Sequence, residues 1–118
     1  MNEVYVVSAL RTAVGSLGRS LKNIAGDELG SNVITSLLSF SKIEKNSIDE
    51  VIMGQVLTGG TGQNPARQAA IRSGIPKEKP AFVVNQVCGS GIRSVASGFQ
   101  SIKAGDNKIV ISGGQESM

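Results

Sequence analysis

Short runs of β-branched residues alternate along the chain with stretches of helical periodicity, and glycine-rich punctuation falls between them. That alternation predicts parallel βαβ units. Val4-Tyr5-Val6-Val7 reads as a buried first strand, and a helix follows over 27–38, where Leu29, Val33 and Leu37 recur on one face and Ile34 and Leu38 widen the stripe. Asp27 and Glu28 suit its first turn, where the helix dipole favours carboxylates. Ser47-Ile48-Asp49-Glu50 has capping-box spacing for a single turn, and Val51 to Val56 reads as a second strand. A helix over 65–73 opens on Pro65 and stops before Gly74. A third strand is expected from Ala81 to Val87, then a helix from Ser90 to Lys103 with Ile92, Val95, Ala96, Phe99 and Ile102 as its core-facing stripe. Lys108 to Ser112 is the fourth strand, and Leu10 to Gly26, rich in Ser and Gly, is the longest irregular connection. The expected fold class is therefore α/β, in the order βαβαβαβ, with a mostly parallel sheet and helices on both its faces.

Length and composition narrow the chemistry. At 118 residues the chain makes one domain or part of one, with a modest core. Twelve basic against nine acidic residues leave a net charge of +3, but the Lys and Arg are spread out, so no nucleic-acid partner is expected. With no His and a single Cys, the chain offers no metal site of the zinc type and no internal disulfide. It also lacks the imidazole of a Ser-His or Cys-His pair. No apolar run approaches the ~18 residues of a membrane helix, so no membrane partner is expected. The N-terminus has no basic segment or cleavage site of a secretory signal, and a lone thiol fits a reducing, cytoplasmic setting.

The most informative stretch is Asn85-Gln86-Val87-Cys88-Gly89-Ser90-Gly91, which puts the one Cys where an apolar strand meets a glycine-rich helix start. A helix N-terminus favours thiolate, and the end of a strand in an open α/β sheet is where ligands bind. Gly89 and Gly91 leave backbone amides open to a substrate carbonyl and its developing oxyanion. A thiolate beside an amide oxyanion site is apparatus for acyl transfer. Against this stands the ordinary fate of a free Cys, which is to pack as a small core hydrophobe. A second glycine-rich stretch, Thr58 to Pro65, lacks the Gly-Lys-Ser/Thr of a phosphate loop and has Pro65 where a dinucleotide fingerprint wants glycine. It reads as a turn and helix cap, with Arg67 and Arg72 beyond it as solvated or interface charges.

Four motifs in order, Ser8-Ala9-Leu10-Arg11-Thr12, Gly62-Gln63-Asn64-Pro65-Ala66-Arg67-Gln68-Ala69, Asn85 to Gly91 and Gly113-Gly114-Gln115-Glu116-Ser117-Met118, resemble the N-terminal portion of the thiolase family along the whole chain. The second motif is most similar to the acetoacetyl-CoA type. The resemblance implies that Cys88 is the acylated nucleophile, with its own N–H in an oxyanion hole, and that Gly89, Ser90 and Gly91 shape the acyl site. It implies acetyl-CoA or 3-ketoacyl-CoA as substrates once the rest of the fold is supplied, no bound cofactor, and a homo-oligomer or a complementing C-terminal chain as partner. The implied whole is five-layered and built of two similar halves, with the strand leading into Cys88 at a dimer interface. Ala13 stands where relatives often have Pro. The loop domain that holds most of coenzyme A, a Gly-His-Pro histidine, an Asn-Glu-Ala-Phe motif and a second cysteine in Cys-Gly-Gly-Gly have no counterparts in these residues. The chain alone is thus expected to carry a nucleophile without a complete catalytic site. The alternative is a noncatalytic remnant or association module with the same fold.

Overall fold

The computed structural model describes residues 3–118. Among them, β1 (Glu50–Gly54), β2 (Ala81–Val84) and β3 (Val110–Gly114) form one parallel sheet in the order β2-β1-β3. In register, Val51 lies opposite Ala81 on one side and Ile111 on the other. Three helices complete the layers: α1 (Gly26–Ser41), α2 (Pro65–Arg72) and α3 (Ser90–Ala104). The expected α/β class, parallel sheet and two-sided helical cover are all present.

Strand alternation decides which helix covers which face. Val51, Met53 and Ile111 point to one side and join Ala66, Ala69 and Ala70 of α2, with Ile34 and Leu38 of α1 behind. On the other side, side chains at Gly54 and Gly98 would meet Ser90 and Ser112, which sets α3 directly against β1 and β3. Burying each large aliphatic of the first layer contributes about 1.5–3 kcal/mol. The α1 layer is tied to α2 by Arg72, whose Nε lies 2.7 Å from the Asp27 carboxylate, and by Ser73 Oγ, which donates to the Ser31 carbonyl at 3.2 Å.

Several expected elements differ in the structure: the second and fourth expected strands run over Glu50–Gly54 and Val110–Gly114, not Val51 to Val56 and Lys108 to Ser112. Val4 to Val7 forms no strand: Tyr5, Val6 and Val7 are exposed, and the segment lines an apolar groove of about 570 Å³ together with residues of β3 without joining the sheet. The stripe expected to bury α3 is not its inner face: Ile92 is 82% exposed, Val95, Phe99 and Ile102 line the apolar groove, and Ser90, Ser94 and Gly98 are the buried residues. Small residues win there because α3 lies against backbone; Ser94 Oγ donates to the Gly113 carbonyl at 2.7 Å. The third strand stops at Val84, since Asn85 to Val87 turn away from the sheet to enter α3.

The last correction concerns the expected turn at Ser47 to Glu50. A 3₁₀ turn covers Lys45–Ser47 instead, and its carboxylate neighbours serve other donors. Asp49 Oδ2 accepts from the backbone N–H of Lys108 at 2.7 Å and of Ile109 at 3.0 Å, pinning the entry of β3 beside β1. The Ile109 and then the Lys108 hydrogen bond hold the Asp49 carboxyl below its ordinary value. A lowered folded value means that Asp49 stabilises the fold above its unfolded pKa, and that this contribution fades as pH falls through the folded one. Asp49→Ala is expected to cost about 1 kcal/mol near neutrality, the site being partly solvated. In urea melts the gap between variant and parent should shrink as the pH falls below the ordinary carboxylate range, and a gap independent of pH would refute the assignment.

Candidate active site

The C-terminal ends of the strands converge on a hollow of about 520 Å³, lined by Gly54, Val56 and Leu57 at the end of β1, by Val87, Cys88, Ser90 and Gly91 at the start of α3, and by Gly114, Gln115, Glu116 and Met118 at the end of β3. Cys88 sits on this wall and is exposed. Its thiol is therefore not the small core hydrophobe of the alternative reading. The apolar groove beside β3 is slightly larger but does not include Cys88.

The turn that carries Cys88 is held in an uncommon conformation. Val87 has a φ of 50°, in the left-handed region that β-branched residues avoid, which costs about 1–3 kcal/mol. Local hydrogen bonds hold it there. The Val87 N–H donates to Asn85 Oδ1 at 2.9 Å, the Gln86 N–H donates to Ser90 Oγ at 2.8 Å, and Ser90 Oγ donates onward to the Val87 carbonyl at 2.6 Å. Gly89 and Ser90 then close the turn with N–H bonds to the carbonyls of Gln86 and Val87 at 3.0 and 3.1 Å. The result is a sharp strand-to-helix turn that lifts Cys88 off the sheet at the N-terminus of a long helix.

The glycines around it divide by what they do. A Cβ on Gly54 would lie 2.5 Å from the Ser90 carbonyl carbon, so this glycine lets the first turn of α3 rest on β1. A Cβ on Gly91 would meet nothing within 4 Å, so its missing side chain serves the hollow and not the packing.

Sequence reasoning gave no role to the residues that close the opposite wall. Glu116 accepts from the N–H of Val56 at 2.8 Å and of Leu57 at 3.0 Å, binding the segment after β3 to the segment after β1. Beneath it, Gln115 is buried and donates to Gln55 Oε1 at 2.9 Å and to the Pro65 carbonyl at 3.2 Å. The signal that could have found them is their address at the C-terminal end of a parallel strand, where sites gather.

The second glycine-rich stretch is the turn and cap expected. Asn64 Oδ1 accepts from the Arg67 N–H at 3.1 Å, and Gln68 Nε2 donates to the carbonyls of Thr61 and Gln63, both at 2.8 Å. Arg72, more than half exposed, is a solvated charge as expected, whereas Arg67 is half-buried. Arg67 Nη1 donates to the Lys79 carbonyl at 3.0 Å, and Arg72 is the partner of buried Asp27. Both guanidinium groups are structural tethers away from Cys88. No helix among the described residues is long and apolar enough to cross a membrane.

The family model described as the thiolase N-terminal domain matches residues 4–118. The acetyl-CoA acetyltransferases of Cupriavidus necator and Pseudomonas aeruginosa are 52% and 51% identical over 118 residues, all of this chain. A probable acetyl-CoA acyltransferase of Staphylococcus epidermidis is 51% identical over the same span. The chain spans about 30% of the length of each of these curated relatives. Among solved structures, the Acat5 thiolase of Ascaris suum in complex with coenzyme A superposes with a TM-score of 0.91 at 36% identity, over 93% of this chain and 29% of that one. The acetyl-CoA acetyltransferase of Bacillus anthracis superposes at 0.88 and 29% identity, over 92% of this chain and 28% of that one.

Proposed function

Because the chain belongs to the thiolase family, whose N-terminal domain it matches over residues 4–118, we propose that it carries the acyl-accepting half of an acetyl-CoA C-acetyltransferase, with Cys88 as the nucleophile. The observation that carries the reading is the position of the chain's one thiol, exposed on the wall of a hollow at the strand ends and at the start of α3.

In the proposed step the Cys88 thiolate attacks the carbonyl carbon of acetyl-CoA or of a 3-ketoacyl-CoA. A bond from Sγ to carbon forms, and the carbonyl electrons move onto oxygen. The Cys88 N–H at the helix start is one donor to that oxyanion, whose charge the helix dipole also favours. With acetyl-CoA, collapse breaks the bond from carbon to the coenzyme A sulfur; the departing thiolate takes up the proton that Cys88 gave up, leaving acetyl-Cys88 and free coenzyme A. With a 3-ketoacyl-CoA the bond that breaks is carbon–carbon, and the leaving enolate needs a proton at its Cα. The Ascaris suum relative was solved with coenzyme A, which supports coenzyme A thioesters as the substrate class.

The test is intact-mass spectrometry of the chain mixed with acetyl-CoA at neutral pH. One acetyl group per chain is expected, located on Cys88 by peptide mapping, with a rate that saturates in acetyl-CoA. A second reading, a noncatalytic association module, is favoured by the apolar groove beside β3 and by exposed Ile92, Val95 and Phe99. It predicts slow labelling, linear in acetyl-CoA concentration, with no preference for Cys88 over surface lysines. That pattern would displace the nucleophile assignment.

A further inference from the structure

Resting on the assignment of Cys88 as nucleophile, we infer that Ser90 is a positioning residue: its hydroxyl clamps the preceding turn in the left-handed form that presents Cys88 to the hollow. The hydroxyl is buried, with Ser90 4% exposed, and its two bonds run to consecutive residues of the turn. It accepts from the Gln86 N–H at 2.8 Å and donates to the Val87 carbonyl at 2.6 Å. The bracketed residue is the one at φ 50°, immediately before Cys88.

A valine does not hold that conformation unaided, because its Cβ branches crowd the backbone there. A serine that only capped α3 would accept from an N–H further along the helix. Ser90 instead reaches backwards, into the turn, and so ties the position of Cys88 to the first turn of α3. The close approach of Gly54 to the Ser90 carbonyl fixes that turn in place from below. The path from sheet to thiol therefore runs from Gly54 through Ser90 and Val87 to Cys88. Nothing in it requires Ser90 to touch substrate.

Removing the hydroxyl releases the turn, and the valine relaxes toward negative φ, swinging the Cys88 peptide with it. Replacing Val87 by glycine removes the reason to relax, since glycine adopts positive φ without penalty. This yields a rescue that a merely structural serine would not give.

The experiment compares the parent chain with Ser90→Ala, Val87→Gly and the double variant, each confirmed folded by circular dichroism. Two readouts are taken. The rate of Cys88 acetylation by acetyl-CoA is expected to fall about tenfold or more in Ser90→Ala and to recover in large part in the double variant. Backbone chemical shifts and the HN–Hα coupling of Val87, read by NMR, are expected to show positive φ in the parent and its loss in Ser90→Ala. Ser90→Ala that keeps both the parent rate and the Val87 conformation overturns the inference. So does a double variant no faster than Ser90→Ala, or a lost Val87 conformation with an unchanged rate. If the parent itself is not acetylated, the nucleophile assignment fails and the positioning role falls with it. The NMR comparison then still decides whether the serine clamps the turn.

Discussion

Gly54→Ala is expected to destabilise the fold by about 3 kcal/mol and to slow acetylation of Cys88 in whatever fraction remains folded. The added Cβ would lie 2.5 Å from the Ser90 carbonyl carbon, 2.6 Å from its oxygen and 2.7 Å from the Gly91 nitrogen. All three are backbone atoms in the first turn of α3, so no rotamer change relieves the clash. Either β1 shifts or α3 lifts. β1 is the central strand, paired on both sides and packed against α2, so the helix start is the part that yields. Because the turn carrying Cys88 is bonded to that helix start through Ser90, the thiol moves with it.

A loss of this size is a large share of the stability of a chain of 118 residues and lowers the melting temperature by roughly 10–20 °C. Gly59→Ala is the matched control. A Cβ there meets nothing within 4 Å, and melting temperature and acetylation rate should both stay near the parent values. Calorimetry gives the first quantity and intact-mass kinetics the second. A Gly54→Ala chain that melts within a few degrees of the parent and acetylates at the parent rate would mean that α3 does not rest on β1 as described.

The contrast between those glycines shows what could be read in advance and what could not. Helix α2 was legible because Pro65, Asn64 and Gly74 mark its limits through local chemistry, and the structure places its ends within a residue of the expected ones. The position of Cys88 was legible for the same reason, since a strand followed by Cys-Gly-Ser-Gly sets a local address. The inner face of α3 was not. Hydrophobic periodicity pointed to Ile92, Val95 and Phe99, yet the sheet beneath α3 presents Gly54, Ser112 and Gly114, and only Ser90, Ser94 and Gly98 let the helix close on it. That requirement lies in residues distant in sequence, and no window along the chain contains it.

The first strand fails by another route. Val4 to Val7 has the composition of a buried strand, but it lines the apolar groove beside β3 and pairs with no strand among the described residues. Glu116 was missed because its role depends on the N–H groups of Val56 and Leu57, about sixty residues earlier in the chain. Both misses concern contacts between remote segments, whereas α2 and the address of Cys88 were set by residues adjacent in sequence.

A polypeptide of these 118 residues is expected to accept acetyl at Cys88 yet to leave acetoacetyl-CoA uncut, and to gain thiolysis when the remainder of a thiolase is supplied as a second chain. Cleaving acetoacetyl-CoA with coenzyme A to give two acetyl-CoA requires a base to deprotonate the attacking thiol and an acid to protonate the departing Cα. The chain has no His, and its one Cys is occupied by the acyl group at that stage. Glu116 is committed to the amides of Val56 and Leu57, and Arg67 and Arg72 are tethers. Each missing acid–base partner is worth about 10²–10⁴-fold, so the pair accounts for at least about 10⁴-fold in rate. The chain spans about 30% of the length of its acetyltransferase relatives, leaving ample sequence for both groups. The edge of β3, unpaired among the described residues, and the apolar groove beside it offer the added chain a surface to cover. Chromatographic conversion of acetoacetyl-CoA and coenzyme A to acetyl-CoA is the readout. Restored turnover that vanishes in Cys88→Ala would establish the division of labour, with the nucleophile here and the acid–base groups elsewhere. A folded, associated pair that acetylates Cys88 but never turns over would refute this division of labour, since the added chain would then not supply the missing acid–base groups.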